Sequence, residues 1–108
     1  MTTFDDREKA FEDKFAHDAG LAFKAKARRD KKLGQWAAGK LGLTGAEASD
    51  YVKTIQKMDI SKDGEEAVVG KVAGDFKARA IDADVLEIRT AMTRYLSEAV
   101  AEIERGID

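Results

Sequence analysis

No proline occurs anywhere in the 108 residues, so nothing in this chain forces a helix to break except glycine and polar capping residues. Charged residues make up 37% of the sequence, alanine is abundant and β-branched side chains are few, a composition that favours helix over sheet throughout. The expected fold class is all-α. The length fits one domain able to bury around two-thirds of its unfolded surface, which allows one modest core. Zero cysteines exclude disulfides, thiolate metal sites and cysteine nucleophiles, in keeping with a reducing cytoplasm. No apolar run approaches the ~18 residues of a membrane span, and the N-terminus lacks the apolar stretch of a signal peptide. A soluble, cytoplasmic protein without direct membrane insertion is expected.

Four amphipathic segments follow one another from residue 20 onward. Between about Leu21 and Leu41, the residues Ala22, Phe23, Leu33, Gly34, Ala37 and Leu41 share a broad face with Trp36 at its margin, and Gly42 supplies a stop. Thr44-Gly45-Ala46-Glu47 has the form of a capping box and opens a second helix, along which Ala48, Tyr51, Val52, Ile55 and Met58 keep helical spacing. Asp63 starts a third with Val68, Val69, Val72 and Phe76, weakened by Gly70 and Gly74 at about 1 kcal/mol each relative to alanine. Asp84 starts the last, whose stripe of Ile88, Met92, Tyr95, Leu96, Ala99 and Ile103 runs to Gly106. Linkers of a few residues between such helices give a small four-helix bundle.

The first nineteen residues differ in kind. Three of the five phenylalanines, Phe4, Phe11 and Phe15, stand in a segment otherwise built mostly of charges. On a helix they fall within about 40° of one another, a seam narrower than the ~100° stripe of a helix that packs in its own core. Thr3 and the acids Asp5, Asp6 and Glu8 suit a helix N-terminus, and several i,i+4 ion pairs follow. A free helix of this length is marginal in water. The expectation is a mobile or partly helical N-terminal arm, residues 1–19, on a helical body, residues 20–108. Burying three rings does not by itself offset the entropy of ordering such an arm, so either the free arm is already partly helical, or Arg7, Lys9, Lys14 and the backbone make further contacts in an enclosing crevice.

The stretch FDDREKAFEDKFAHD, with the run FKAKARRDKKLGQWAAGKLG from Phe23 to Gly42, resembles the zeta-subunit ATPase inhibitor family of alphaproteobacterial F-type ATP synthases, and the similarity extends over essentially the whole chain. The resemblance implies a small helical body whose N-terminal arm enters the catalytic head of the ATPase and blocks ATP hydrolysis. It also implies a location peripheral to the membrane through the synthase. In those terms Phe4, Phe11 and Phe15 anchor the arm, and Arg7 and Lys14 meet acidic groups of the partner. Ala19 and Gly20 depart from the family pattern, in which acidic residues are more usual.

Charge is unevenly distributed although the net is only −2. Lys24, Lys26, Arg28, Arg29, Lys31 and Lys32 crowd nine positions with Asp30 as the only acid, so Leu21–Gly42 carries +6 and Leu43–Asp108 carries −5. This block reads as a solvated helix face, as a docking surface for an acidic protein, or as a weak site for a nucleotide's phosphates through Lys24, Arg28, Arg29, Lys31 and Lys32. Nucleic acid is disfavoured, because only Phe23 and Trp36 flank the cations and both lie toward the expected packed face. Phosphate-loop, nucleophile-elbow and zinc-protease motifs are absent, so no enzyme, cofactor or metal site is expected. His17, the sole histidine, lies between Asp13 and Asp18, a setting that raises its pKa and gives the arm a candidate response to pH near neutrality.

Overall fold

A computed structural model describes residues 19–107, which form four α-helices and no strand. They are α1 (Ala19–Lys40), α2 (Gly45–Asp59), α3 (Gly64–Ala78) and α4 (Val85–Glu104). Helix α1 packs against both α2 and α4, and α3 closes the bundle by touching those two from the far side. The core gathers Leu33, Ala37 and Leu41 of α1, Ile55 of α2, Val68, Val69, Val72 and Phe76 of α3, and Ile88, Ala91 and Met92 of α4. Trp36 meets the fully buried Phe76 edge-on, with ring centroids 5.6 Å apart, and so joins the core from its margin.

The helix that propensity marks as weakest therefore supplies the middle of the core. Gly70 and Gly74 lie on the solvent side of α3, where an added Cβ would meet nothing within 4 Å. Packing of the opposite face stabilises α3 by more than two glycines cost it. Gly34 has the reverse role. A Cβ there would come within 3.0 Å of the Val52 Cα, so the missing side chain sets how closely α1 and α2 cross.

Three of the helices end in one device. After α1, α3 and α4 the chain turns through a left-handed residue, and the following amide reaches back five positions to a helical carbonyl. The bonds are Leu43 to Ala38 at 2.9 Å, Ile81 to Phe76 at 2.8 Å and Ile107 to Glu102 at 2.9 Å. Gly42 (φ 76°) and Gly106 (φ 75°) hold that position in α1 and α4, where glycine meets no Cβ penalty. In α3 the residue is Ala80, at φ 56°. The half-buried Ile81 that follows packs on the core and keeps the turn in place.

Two expectations are corrected at the helix starts and on the first face. Thr44 sits at the N-cap of α2, but its side chain makes no capping bond, because Gly45 enters the helix at φ 55° and the regular capping geometry is lost. Among the described residues only the Asp84 carboxylate caps as read, accepting from the Glu87 amide at 2.9 Å, while the Asp63 side chain makes no cap bond. Phe23 is not on the packed face: it is 62% exposed. The second half of α1 packs as expected through Leu33, Gly34, Ala37 and Leu41, whereas its first two turns bury Ala25 and leave Phe23 exposed.

Alanine thus stands at the left-handed position just past α3 and glycine at an exposed position within it. Ala80→Gly and Gly74→Ala should each stabilise the fold by roughly 0.5 to 1 kcal/mol, read as a higher urea midpoint with an unchanged dependence on denaturant. A loss of stability in Ala80→Gly would mean that the left-handed turn carries no strain.

Candidate functional site

The first half of α1 carries charge inside the molecule as well as outside. Arg29 is 3% exposed and lies where α1 crosses the carboxyl end of α2 and the amino end of α3. Its Nε donates to Asp30 Oδ1 at 3.0 Å, Nη2 to Asp59 Oδ2 at 3.0 Å and Nη1 to Glu65 Oε1 at 3.2 Å. One planar guanidinium thus ties three helices, a geometry that the fixed fork of arginine suits and a lysine could not reproduce. Gly64 makes the convergence possible. A Cβ there would collide with the Asp59 backbone, so only glycine lets α3 begin hard against the end of α2 and set Glu65 beside Asp59.

Three carboxyl groups around one cation leave an excess of negative charge, which the cluster relieves with a proton. Burial, then a hydrogen bond to Asp59, push the Asp30 pKa up to about 8, against the opposing attraction of Arg29. Burial acts to lower the Arg29 pKa, but the carboxylates of Asp30, Glu65 and Asp59 outweigh it and hold the group charged. The shift favours the protonated form of Asp30, which can donate toward Asp59 while accepting from Arg29. No buried side-chain nitrogen or oxygen among the described residues lacks a partner.

A second clasp joins α1 to α4. Lys32 Nζ lies 2.9 Å and Arg28 Nη1 3.2 Å from the two oxygens of Glu102. Hydrogen bonds from Lys32 first, then Arg28, hold the Glu102 pKa below the usual carboxylate range. Across α2 and α3, the Tyr51 hydroxyl donates to Asp75 at 2.8 Å, and burial followed by that bond holds the phenol above its ordinary pKa.

Beside the arginine cluster runs an open groove of about 640 Å³, between the first turns of α1 and the end of α2. Ala22, Phe23, Ala27 and Ile60 give it apolar walls, Lys26 and Gln56 stand at its rim, and Asp30 and Asp59 close its floor. Phe23 and Ile60 are 62% and 71% exposed.

The basic block is thus divided by the fold. Arg29 is a buried structural tie and not a surface contact; Arg28 and Lys32 are bonded to Glu102; Lys24 and Lys31 are exposed. Phe4, Arg7, Phe11, Lys14, Phe15 and His17 lie outside the described residues. Asp59, Glu65 and Ile60 were not singled out by sequence reasoning, which read Phe23 as part of the packed face and Asp30 only as the lone acid of the basic run. Asp30 as the lone acid in a run of cations was the one available signal, since Asp59 and Glu65 stand 30 and 36 residues from Arg29. No group of three or more histidine, cysteine, aspartate or glutamate residues suited to a metal ion occurs among the described residues, and none of their helices is long and apolar enough to cross a membrane.

The described residues form a small all-α bundle whose basic helix is largely neutralised from within. The family model for ATPase inhibitor subunit zeta matches residues 1–102, nearly the whole chain, and the protein belongs to that family. No curated protein matches this sequence.

The proton on Asp30 sets the sign of a pH effect. Between its ordinary value near 4 and about 8 the folded state holds a proton that the unfolded chain releases, so this group's contribution to stability declines as pH rises through that window. Urea midpoints should therefore fall from about pH 5 to about pH 8, and Asp30→Asn, which keeps a donor toward Asp59 without titrating, should flatten the fall. Parallel slopes in the two proteins would mean that Asp30 is ionised throughout. Arg29→Met leaves the buried carboxyls without their cation and should cost roughly 3 kcal/mol in the same assay.

Proposed function

We propose that the protein inhibits an F-type ATP synthase by inserting residues 1–19 into the catalytic head and blocking ATP hydrolysis, with residues 20–108 as the body that carries this arm. The family supplies the inhibitory role, and the observation that supports the division of labour is that α1 to α4 gather a cluster of their own around Leu33, Ile55, Phe76 and Ile88. Phe4, Phe11 and Phe15 serve as anchors in a partner's crevice, with Arg7 and Lys14 toward its acidic groups. The mechanism is a steric wedge between moving subunits that takes no part in the chemistry of ATP. The site of action is the cytoplasmic face of the synthase, reached without insertion into the membrane.

The competing nucleotide reading draws less support from the geometry. A phosphate would have to compete with Glu102 for Arg28 and Lys32, and Arg29 is enclosed by carboxyl groups.

Hydrolysis by the isolated catalytic head of the source organism's synthase should fall on addition of the full chain. A version lacking residues 1–19 should lose that effect while keeping its helical circular dichroism. Phe11→Ser should weaken inhibition by at least about tenfold, the loss expected when one buried ring of roughly 1.5 to 3 kcal/mol is removed. Full potency in the truncated form would move the active surface to the body. His17→Ala should remove any change in inhibition between about pH 6 and pH 8, and identical curves would take histidine out of the mechanism.

A further inference from the structure

Arg29 holds two carboxyl groups where a guanidinium ordinarily holds one. Its Nε and Nη2 nitrogens lie on the same edge of the planar group, the edge that binds both oxygens of a single carboxylate in a bidentate pair. Here that edge is divided, with Asp30 Oδ1 3.0 Å from Nε and Asp59 Oδ2 3.0 Å from Nη2, while Glu65 takes Nη1. Two separate carboxyl groups are thus set side by side, in a site where Arg29 and Asp30 are both buried. Like charges so placed repel, and a proton held between them removes the conflict. The upward shift of the Asp30 pKa to about 8 agrees with that geometry.

Among the described residues, the charges around Asp30 come from three helices. Helix α1 contributes Arg29 and, one turn earlier, Lys26 at the groove rim; α2 contributes Asp59, with the neutral Gln56 beside it; α3 contributes Glu65. From α4, Glu102 is engaged by Arg28 and Lys32, and Arg89 by Glu66. Loss of the Asp30 proton therefore leaves three carboxylates on one guanidinium. The two sides of the junction are not equally fixed. Asp30 sits midway along α1, which Leu33 and Ala37 hold in the core and Glu102 ties to α4. Asp59 is the last residue of α2, and residues 60–63 after it are all exposed. Gly64 packs against the Asp59 backbone, which couples Glu65 to any movement of Asp59. Besides Arg29, Gln56 reaches the Ala27 carbonyl only at 3.5 Å, the outer limit of a hydrogen bond.

We infer that the junction of α1, α2 and α3 is a proton-operated latch: with a proton between Asp30 and Asp59 the turn from α2 to α3 is held on Arg29, and without it the segment from Asp59 to Glu65 swings off α1 while the rest of the bundle stays folded. Closing takes up a proton and opening releases it. Opening therefore grows by up to about tenfold per pH unit between the ordinary aspartate value near 4 and about 8, and levels off above. The steep part of this range includes neutrality. Opening also bares the floor of the neighbouring groove, which Asp30 and Asp59 form together.

Amide hydrogen exchange of the full-length protein, divided at each pH by the intrinsic rate of an unfolded chain, tests the latch between about pH 5.5 and about pH 7.5. The Asp59 and Gly64 amides should be less protected than those of Val72 and Ile88 in the core. Their protection should fall by at least about tenfold across the range, toward the roughly hundredfold that release of one proton allows. Asp30→Asn, which cannot titrate, should flatten the fall. Asp59→Asn, which removes the like charge and lets Asp30 ionise in the closed state, should flatten it as well, so the outcome does not hang on the folding of one variant. A smaller fall in the native chain would overturn the latch, as would a fall that survives either substitution in a folded variant. Asp59 and Gly64 amides protected as strongly as Val72 and Ile88 would also overturn it, by leaving only the unfolding of the whole chain.

Discussion

A single buried guanidinium fixes where three of the four helices meet. The main apolar cluster lies along the second half of α1, while the first half buries Ala25 and is otherwise tied to its neighbours largely by charge. Arg29 binds Asp59 at the end of α2 and Glu65 at the start of α3, so the tight connection between those helices is pinned to α1 by the same group. Burying an unpaired arginine would be costly. Here the cost is offset by three hydrogen-bonded carboxyl groups, one of which keeps a proton to avoid an excess of negative charge. The arrangement specifies a geometry more than it stabilises a fold, since apolar residues of the same shape could fill the site with comparable free energy.

The same interaction explains the surface. With Arg29 drawn inward and Arg28 and Lys32 bonded to Glu102, a segment that is strongly basic in sequence presents a more modest field in the folded protein. Lys24, Lys26 and Lys31 then lie beside or near an apolar groove whose floor is the Asp30 and Asp59 pair. Docking at this end of α1 would combine burial of aromatic surface with contact to a few cations.

Much of this fold was legible in the sequence because local rules and packing agree. Gly42 and Gly106 mark the helix ends at which a left-handed residue is needed, Asp84 caps α4, and the stripes of α3 and α4 point to the core. The failures have a common origin in what is distant along the chain. Periodicity placed Phe23 on the packed face of α1, but it could not show that the neighbouring helices leave that end of the stripe uncovered. Arg29 looked like one more surface cation, since the groups that bury it lie on other helices. The capping box at Thr44 failed because Gly45, which looked like filler, takes a left-handed conformation. For the phenylalanines of the first nineteen residues, only the family match bears on their role.

The two ionic clasps on α1 have a mechanical consequence. Any pull on the chain preceding Ala19 enters the bundle along the axis of this helix, and both Arg29 with its acids and the Lys32, Arg28 and Glu102 set join α1 sideways to its neighbours. Traction would therefore load these links together in shear instead of peeling them apart one at a time. A helix anchored in that manner yields late and all at once.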